Sequence, residues 1–278
     1  MAKVGNQKTL AWGMGRYPMV ARPLAPYIGG KRNLSATVCS RIQTIEHSVY
    51  AEVFFGMGGI FFRRPNPTRI EVINDINSDV ITLLRIAQRH NEALCDMIKF
   101  HVAARSEFER LLEIDPESLT DLERAARFLF LQRTSFGGRL NGRSFGVSRT
   151  SPSRFNSLDV RCALESVQDR LRHVVLECLP WQAFIQRYDH KAILFYLDPP
   201  YWGFEDCYGK DLFSRSDFFT LSEVLQSIKG KFLLSINDLP QVRKMFAWAN
   251  IQGVRTSYSL SSTGRRTAVK ELLISAEG

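Results

Sequence analysis

Five short apolar runs along the chain have the length and composition of β-strands. Two of them, at 192–197 and 231–236, are dominated by apolar residues, a pattern typical of strands buried on both faces of a sheet. The other three cover 50–55, 69–73 and 271–274. Because helical segments separate these runs, the pattern predicts an α/β fold with an open, mostly parallel sheet.

Three segments carry helical signals. Residues 78–102 repeat apolar side chains at helical spacing. The stretch 121–133 follows Thr120, and Glu123 three residues later completes a capping-box pattern, which predicts that a helix begins there. A further helix is predicted over about 159–173.

The segment from Gln132 to Leu158 differs in composition from the rest of the chain. It contains no Asp or Glu but five arginines, interleaved with glycine and phenylalanine. Arginine suits both phosphate contact and bidentate binding of guanine, so the segment is predicted to contact DNA rather than to be only a solvated loop. It supplies +5 of a formal net charge of +9, which favours that prediction. The arginines are Arg133, Arg139, Arg143, Arg149 and Arg154.

Charge and cysteine usage narrow the class of protein. The 278 residues include 37 Lys and Arg against 28 Asp and Glu, a surplus that favours an anionic partner, usually nucleic acid. Five cysteines without a C-x-x-C pair and five histidines without ligand spacing predict no disulfide framework and no metal site. No apolar run reaches the ~18 residues of a membrane-spanning helix. We therefore expect a soluble, cytoplasmic protein, with residues 1–22 as a loosely ordered lead.

A glycine cluster follows the first predicted strand. Glu52 precedes Phe55-Gly56-Met57-Gly58-Gly59, and Asp75 lies 19 positions beyond Gly56, at the end of the second strand. Glycines let a ligand approach the backbone closely, and an acidic residue about 20 positions further on can bind ribose hydroxyls. The pair predicts a site for an adenosine-type cofactor. A nicotinamide-linked oxidoreductase is set aside because the last glycine of a G-x-G-x-x-G spacing is missing.

The tetrapeptide Asp198-Pro199-Pro200-Tyr201 follows the buried strand 192–197 directly. A carboxylate and a backbone carbonyl that accept both hydrogens of a planar exocyclic amine make its nitrogen nucleophilic. Prolines fix the geometry of that carbonyl, and the aromatic ring offers a stacking face for an extruded base. The alternative, an Asp-Pro-Pro turn with a surface tyrosine, does not explain why four matching residues end a buried strand.

These motifs occur in the order found in the Dam-type adenine-N6 DNA methyltransferases, which the chain resembles from about Pro23 to Ile274. The matching segments are Pro26-Tyr27-Ile28-Gly29-Gly30-Lys31, Phe55–Gly59, Asn74-Asp75-Ile76-Asn77, Ser135-Phe136-Gly137-Gly138, Asp198–Tyr201, Leu234-Ser235-Ile236-Asn237-Asp238, Ser261-Ser262-Thr263-Gly264-Arg265-Arg266 and Glu271-Leu272-Leu273. The resemblance implies a Rossmann-like catalytic domain over 23–103 and 166–278, and a small, mostly helical target-recognition insert at 104–165.

The resemblance also implies a role for each matching residue, with S-adenosylmethionine as the methyl donor, double-stranded DNA as the substrate, and no metal or obligate protein partner. The residues that it implies for catalysis are Asp198, Pro199, Pro200 and Tyr201. The residues expected at the cofactor are Tyr27, Lys31, Glu52, Phe55, Gly56, Gly58, Gly59, Asp75, Ile76 and Asp198. Those expected at DNA, with Lys31 on the DNA-facing rim, are Lys31, Arg133, Ser135, Phe136, Arg139, Asn141, Arg143, Arg149, Arg265 and Arg266.

Two alternatives stay open on the residues alone. One is methyl transfer to another planar amine, such as cytosine N4, RNA adenine or a protein glutamine. The other is a catalytically silent methyltransferase fold that only occupies DNA. The target sequence is open too, because the recognition segment is shorter than in members specific for GATC. The segment 177–181 departs from the family pattern where the adenine ring of the cofactor is held.

Overall fold

The computed structural model describes residues 21–147, 150, 152–153, 155–203, 213–255 and 270–276 in full, and the backbone of 256–258 and 267–269. Three residues predicted to contact DNA, Arg149, Arg265 and Arg266, lie outside the described residues, as does nearly all of the predicted lead at 1–22.

Within the described residues, seven strands form one sheet in the order β3-β2-β1-β4-β5-β7-β6. The five strands from β3 to β5 are parallel, and β7 runs antiparallel to both of its neighbours. The predicted α/β fold with an open, mostly parallel sheet is therefore confirmed. The strands are β1 (Val49–Glu52), β2 (Ile70–Asn74), β3 (Val174–Glu177), β4 (Ile193–Leu197), β5 (Lys231–Asn237), β6 (Asn250–Tyr258) and β7 (Thr267–Ser275).

Helices cover both faces of the sheet. Over the described residues they are α1 (Ser35–Thr44), α2 (Ser78–Arg89), α3 (Asn91–Ile98), α4 (Arg105–Glu113), α5 (Asp121–Thr134), α6 (Ser157–Leu171), α7 (Trp181–Tyr188), α8 (Arg215–Ser227) and α9 (Pro240–Met245). None of them is long and apolar enough to cross a membrane.

Strand β4 has apolar side chains on both faces, and helices pack against each face. Its five residues are all buried, and they alternate between two hydrophobic cores. Leu194 and Tyr196 pack into the core shared with α1 to α6, whereas Ile193, Phe195 and Leu197 pack into the core beneath α7, α8 and α9. A strand flanked by neighbours on both edges and helices on both faces has no solvent side, which explains its continuous apolar run.

The predicted helices agree with the structure with one difference. The capping box of Thr120 and Glu123 is present at the start of α5. The single helix predicted over 78–102 is two helices, because His90 adopts a non-helical conformation (φ −131°, ψ 41°) between α2 and α3. The helical spacing continues across the break because both helices bury apolar side chains in the same core, where α5 packs against each of them.

A hairpin follows α5 and lies within the Arg/Gly-rich segment 132–158. Its base is closed by an antiparallel bridge between Ser135 and Phe145, and Gly146 N–H donates to the Thr134 carbonyl at 2.7 Å. We call residues 134–146 the recognition hairpin. Gly137 and Gly142 have positive φ values of 68° and 57°, with no atom within 4 Å of where a Cβ would stand. The tip of the hairpin is therefore uncrowded.

The base of the hairpin holds the segment that leads into the pocket. Gln132 Nε2 donates to the Pro26 carbonyl at 2.9 Å and to the Gly138 carbonyl at 2.7 Å. Gly138 (φ +67°) lies so close to Pro26 that a Cβ would approach the Pro26 carbonyl carbon to 2.8 Å. Ile28 N–H donates to the Gly138 carbonyl as well. Chain 26–28 and the hairpin base thus form one hydrogen-bonded unit.

Replacing Gln132 with alanine is expected to lower the free energy of unfolding by about 1–3 kcal/mol, because carbonyls of Pro26 and Gly138 lose their buried donor. Urea denaturation measures the change. Gln226→Ala, at an exposed position of α8, is the control and should leave the midpoint unchanged. Equal midpoints for the two variants would contradict this account of the hairpin base.

Candidate active site

The candidate site lies where β1 and β4 end side by side. The chain leaves these two neighbouring parallel strands towards opposite sides of the sheet, and a ligand crevice forms beyond the carboxyl ends of strands at such a switch point. A cavity of about 930 Å³ occupies this place, at the upper end of the range for ligand sites. Its lining includes Tyr27, Lys31, Glu52, Phe55, Gly56, Gly59, Asp75, Ile76, Asp198 and Pro200, all predicted from the sequence.

The carboxylate of Asp198 is held from one side by a buried lysine. Lys31 Nζ lies 2.9 Å from Asp198 Oδ1 and 3.3 Å from Glu271 Oε2, and it also contacts the hydroxyl of Tyr201. The Lys31 side chain is 1% exposed. The sequence led us to expect Lys31 on a DNA-facing rim, but its ammonium lies inside the protein, among the residues of the Asp-Pro-Pro-Tyr turn.

Asp198 has an unusual protonation equilibrium for an aspartate. Burial raises its pKa to about 6, against the opposing effects of Lys31 and of the Ser235 hydroxyl, which donates to Oδ1 at 3.2 Å. Both contacts fall on Oδ1. Among the described residues nothing bonds to Oδ2, so one carboxylate oxygen can accept a hydrogen from a ligand.

Glu52, at the end of β1, is buried and, like the partly exposed Asp198, has a raised pKa. Burial raises its pKa to about 8, and the nearby carboxylate of Asp198 adds to the effect. Tyr50 donates a hydrogen bond to Glu52 at 2.8 Å, and the Arg64 guanidinium stacks 3.5 Å above the Tyr50 ring, both of which favour the ionised form. The cavity therefore contains a carboxyl group that is mostly protonated at pH 7.

The glycine loop after β1 is shaped by close aromatic contacts. A Cβ on Gly56 (φ +54°) would lie 2.9 Å from the Tyr27 ring, so this ring packs directly on the backbone. At Gly58 (φ +69°), a Cβ would come within 2.5 Å of Phe55 and 2.6 Å of Phe62. The glycines are thus needed for both their dihedral angles and their lack of a side chain.

Asp75 connects the glycine loop to the end of β2. Its carboxylate accepts from Gly56 N–H at 2.6 Å and from Asn77 N–H at 2.9 Å, and burial raises its pKa to about 6. Asn74 beside it bonds to the Val53 carbonyl and to both backbone groups of Leu179. These two residues hold together the ends of β1, β2 and β3.

The described residues of the Arg/Gly-rich segment that were predicted to contact DNA fall into two groups. Phe136, Arg139 and Asn141 are exposed on the recognition hairpin, with Phe136 46% exposed. The others point inward. Ser135 is buried and donates to the Leu131 carbonyl, Arg133 donates to the Leu24 carbonyl at 2.6 Å, and Arg143 donates to Gln132.

Four residues of the site were not assigned roles from the sequence. Ser235 on β5 and Glu271 on β7 contact Asp198 and Lys31 respectively. Tyr196 lines the cavity, and Asn237 holds the backbone of Trp202 through two hydrogen bonds of 3.1 Å. A polar residue inside or at the end of an otherwise apolar strand, as in 231–237, was the available signal.

The sheet order, with a glycine loop after β1 and Asp-Pro-Pro-Tyr after β4, is that of a Rossmann-like methyltransferase fold. Residues 27–260 match the model of the D12 class N6 adenine-specific DNA methyltransferase family. The chain belongs to this family and is an adenine-specific DNA methyltransferase.

Two curated relatives are type II methyltransferases. M.CviBI of Paramecium bursaria Chlorella virus NC1A is 23% identical over 227 residues, covering 81% of this chain and 86% of the relative. M1.LlaDCHI of Lactococcus lactis subsp. cremoris is 24% identical over 280 residues, covering 92% and 96%.

Two solved structures are loosely similar. The precorrin 8W decarboxylase of Methanobacterium thermoautotrophicum has a TM-score of 0.39 at 12% identity, covering 94% of this chain and 97% of that one. A putative RNA methyltransferase from Pyrococcus horikoshii has a TM-score of 0.38 at 9% identity, covering 87% and 79%. The fold is defined by the order of the strands and by the match to the family.

Replacing Gly58 with alanine is expected to lower the free energy of unfolding, because the new Cβ collides with Phe55 and Phe62. Gly137→Ala is the matched control, since Gly137 has nearly the same φ (+68°) but open space around it. The difference between the two variants isolates the collision, for which overpacking predicts about 1–3 kcal/mol. Urea denaturation measures it, and no difference would refute the crowding argument.

Proposed function

We propose that Asp198 orients the exocyclic amine of an extruded adenine for direct methyl transfer from S-adenosylmethionine. The observation that carries this proposal is the position of Asp198, beside the glycine loop in one cavity, with Oδ1 anchored by Lys31 and Ser235. Oδ2 and the Pro199 carbonyl then accept the two amine hydrogens, so that the nitrogen lone pair is directed at the methyl carbon. Tyr201 stacks on the base.

The transfer needs alignment more than a strong base. The sulfonium loses its positive charge as the methyl group moves, and the geometric demand is an approach of roughly 3–3.5 Å between nitrogen and methyl carbon. Asp198 polarises the amine and does not have to remove a proton before attack. The cofactor supplies the electrophilic methyl group when bound.

The cofactor is proposed to lie along the β1 loop. Glu52 faces its methionine part together with the loop from Phe55 to Gly59, and Asp75 faces the ribose hydroxyls. Asp75 has both oxygens already bonded to backbone N–H groups, which orients the carboxylate and still leaves lone pairs for hydroxyl hydrogens. Tyr27 and Ile76 supply apolar contact on the cavity wall.

DNA is proposed to meet the recognition hairpin through its exposed residues Phe136, Arg139 and Asn141. Arg133, Arg143 and Ser135 are proposed to hold the hairpin base in place, because each bonds to the protein itself. Both curated relatives are type II methyltransferases, which supports the same setting for this protein.

Asp198→Asn is expected to lower methyl transfer by at least about 10²-fold, since the amide cannot accept as a carboxylate does, while cofactor binding persists. The assay is transfer of labelled methyl groups to unmethylated bacterial DNA, and calorimetry measures cofactor affinity. Asp169→Asn, on the exposed face of α6, serves as the control and should keep full activity.

Digestion of the labelled DNA to nucleosides separates the alternatives. Label in N6-methyladenine at a short recurrent site supports the proposal and gives the target sequence. Label in N4-methylcytosine would show that the substrate is cytosine and not adenine. Cofactor binding without any transfer to DNA, RNA or protein would favour the silent DNA-binding fold, and turnover near wild type in Asp198→Asn would overturn the role of Asp198.

Binding of S-adenosylmethionine at pH 7 is expected to release a fraction of a proton from Glu52. In the cofactor-free protein its pKa is about 8, and the cationic cofactor favours the carboxylate, so affinity should rise as pH increases towards 8. Calorimetry in buffers of different ionisation enthalpy measures the release. Glu52→Gln should abolish it, whereas Glu109→Gln on α4 should not. A wild-type protein that exchanges no proton would contradict this role.

A further inference from the structure

Lys31 is the most deeply buried lysine of the described residues, and its ammonium is fully coordinated. An ammonium has three N–H donors, and Lys31 has three oxygen partners, on Asp198, Tyr201 and Glu271. A buried charge is costly unless it is paired and hydrogen-bonded, so this arrangement indicates a specific role rather than a solvated side chain that happens to be covered.

The three partners come from two distant parts of the chain. Asp198 and Tyr201 are the first and last residues of the Asp-Pro-Pro-Tyr turn, which Lys31 therefore bridges. Glu271 is fully buried on β7 and lies 240 positions from Lys31. Because Glu271 is itself held in a strand opposite Asn237, it gives the flexible lysine side chain a rigid second anchor.

The two carboxylate oxygens of Asp198 differ in their hydrogen bonding. Lys31 and Ser235 both bond to Oδ1, and no described residue donates a hydrogen bond to Oδ2. We propose that Lys31, anchored by Glu271, is a positioning residue that locks Oδ1 of Asp198 and the Tyr201 hydroxyl, so that Oδ2 is presented to the target amine. This inference rests on the proposed function of Asp198 and extends it to residues of two other elements.

The charges around Asp198 make the proposal testable by pH. Lys31 lowers the pKa of Asp198 and Glu271 raises it, with burial as the larger influence. The other groups facing this carboxylate are Glu52, Tyr196 and Ser235. Since the reaction needs the Asp198 carboxylate, kcat/KM should fall as pH decreases through the pKa of Asp198, about 6 in the unmodified protein.

The experiment compares Lys31→Met, Lys31→Arg and Glu271→Gln, with Lys191→Met at an exposed position before β4 as the control. Lys31→Met should lower kcat roughly 10²-fold through misplacement of Asp198 and move the acid limb of kcat/KM up by about one pH unit or more. Glu271→Gln should move the acid limb down. Lys31→Arg should keep the acid limb near its original pH but not restore kcat, because a planar guanidinium cannot replace a compact ammonium among three acceptors.

The outcomes distinguish a positioning role from a DNA contact. A raised KM for DNA in Lys31→Met, with kcat and the acid limb unchanged, would overturn the proposal and return Lys31 to the DNA interface. Unchanged kinetics would overturn it as well. If Lys31→Met fails to bind cofactor or to fold, the other two variants decide the question. The proposal then requires that Glu271→Gln move the acid limb of kcat/KM to lower pH. It also requires that Lys31→Arg lower kcat while leaving the acid limb in place.

A failure of the underlying function is recognised separately. If Asp198→Asn retains turnover, Asp198 does not orient the amine, and the role assigned to Lys31 fails with it. If Asp198→Asn is inactive but Lys31→Met behaves as the control, only the positioning role of Lys31 is refuted.

Discussion

The site depends on keeping several carboxyl groups together in a place with little water. Asp198 and Glu52, at the ends of β4 and β1, converge with Glu271 of β7, and the neighbouring negative charges add to the effect of burial in raising the pKa of Asp198 and of Glu52. One buried ammonium, that of Lys31, lies between two of them. The antiparallel insertion of β7 between β5 and β6 makes this arrangement possible, because it brings Glu271 opposite Asn237 at the edge where the parallel strands end.

The sequence predicted the parts of the structure that are local. The Asp-Pro-Pro-Tyr turn and the glycine loop each lie within a few residues, and strand ends meet at one edge of a parallel sheet, so their proximity followed from the fold class. The pairing of Lys31 with Glu271 spans 240 positions and has no local signature. The break at His90 was missed for a related reason, since apolar spacing reports which face is buried and not whether the backbone turns between two helices.

Exposure was the least predictable property of the charged residues. Arg133, Arg139 and Arg143 belong to one basic segment, yet only Arg139 is exposed, while the other two bond to the protein. The amino-acid composition gives the net charge of the segment as a whole. Which of its arginine side chains point inward depends on how the hairpin closes at its base. The same closure joins the hairpin to the chain that carries Tyr27, whose ring packs on the glycine loop at Gly56.

The uncrowded tip of the hairpin has a consequence for how such an enzyme diversifies. Gly137 and Gly142 have empty space around them, whereas Gly138 at the base has none. Changes of residue type at Arg139 or Asn141, beyond Gly138, alter the exposed surface of the hairpin without removing the bonds of Gln132 to Pro26 and Gly138. Under the proposed contact between hairpin and DNA, the target sequence can therefore change through side chains at the tip while the hairpin base and the turn at Asp198 stay the same.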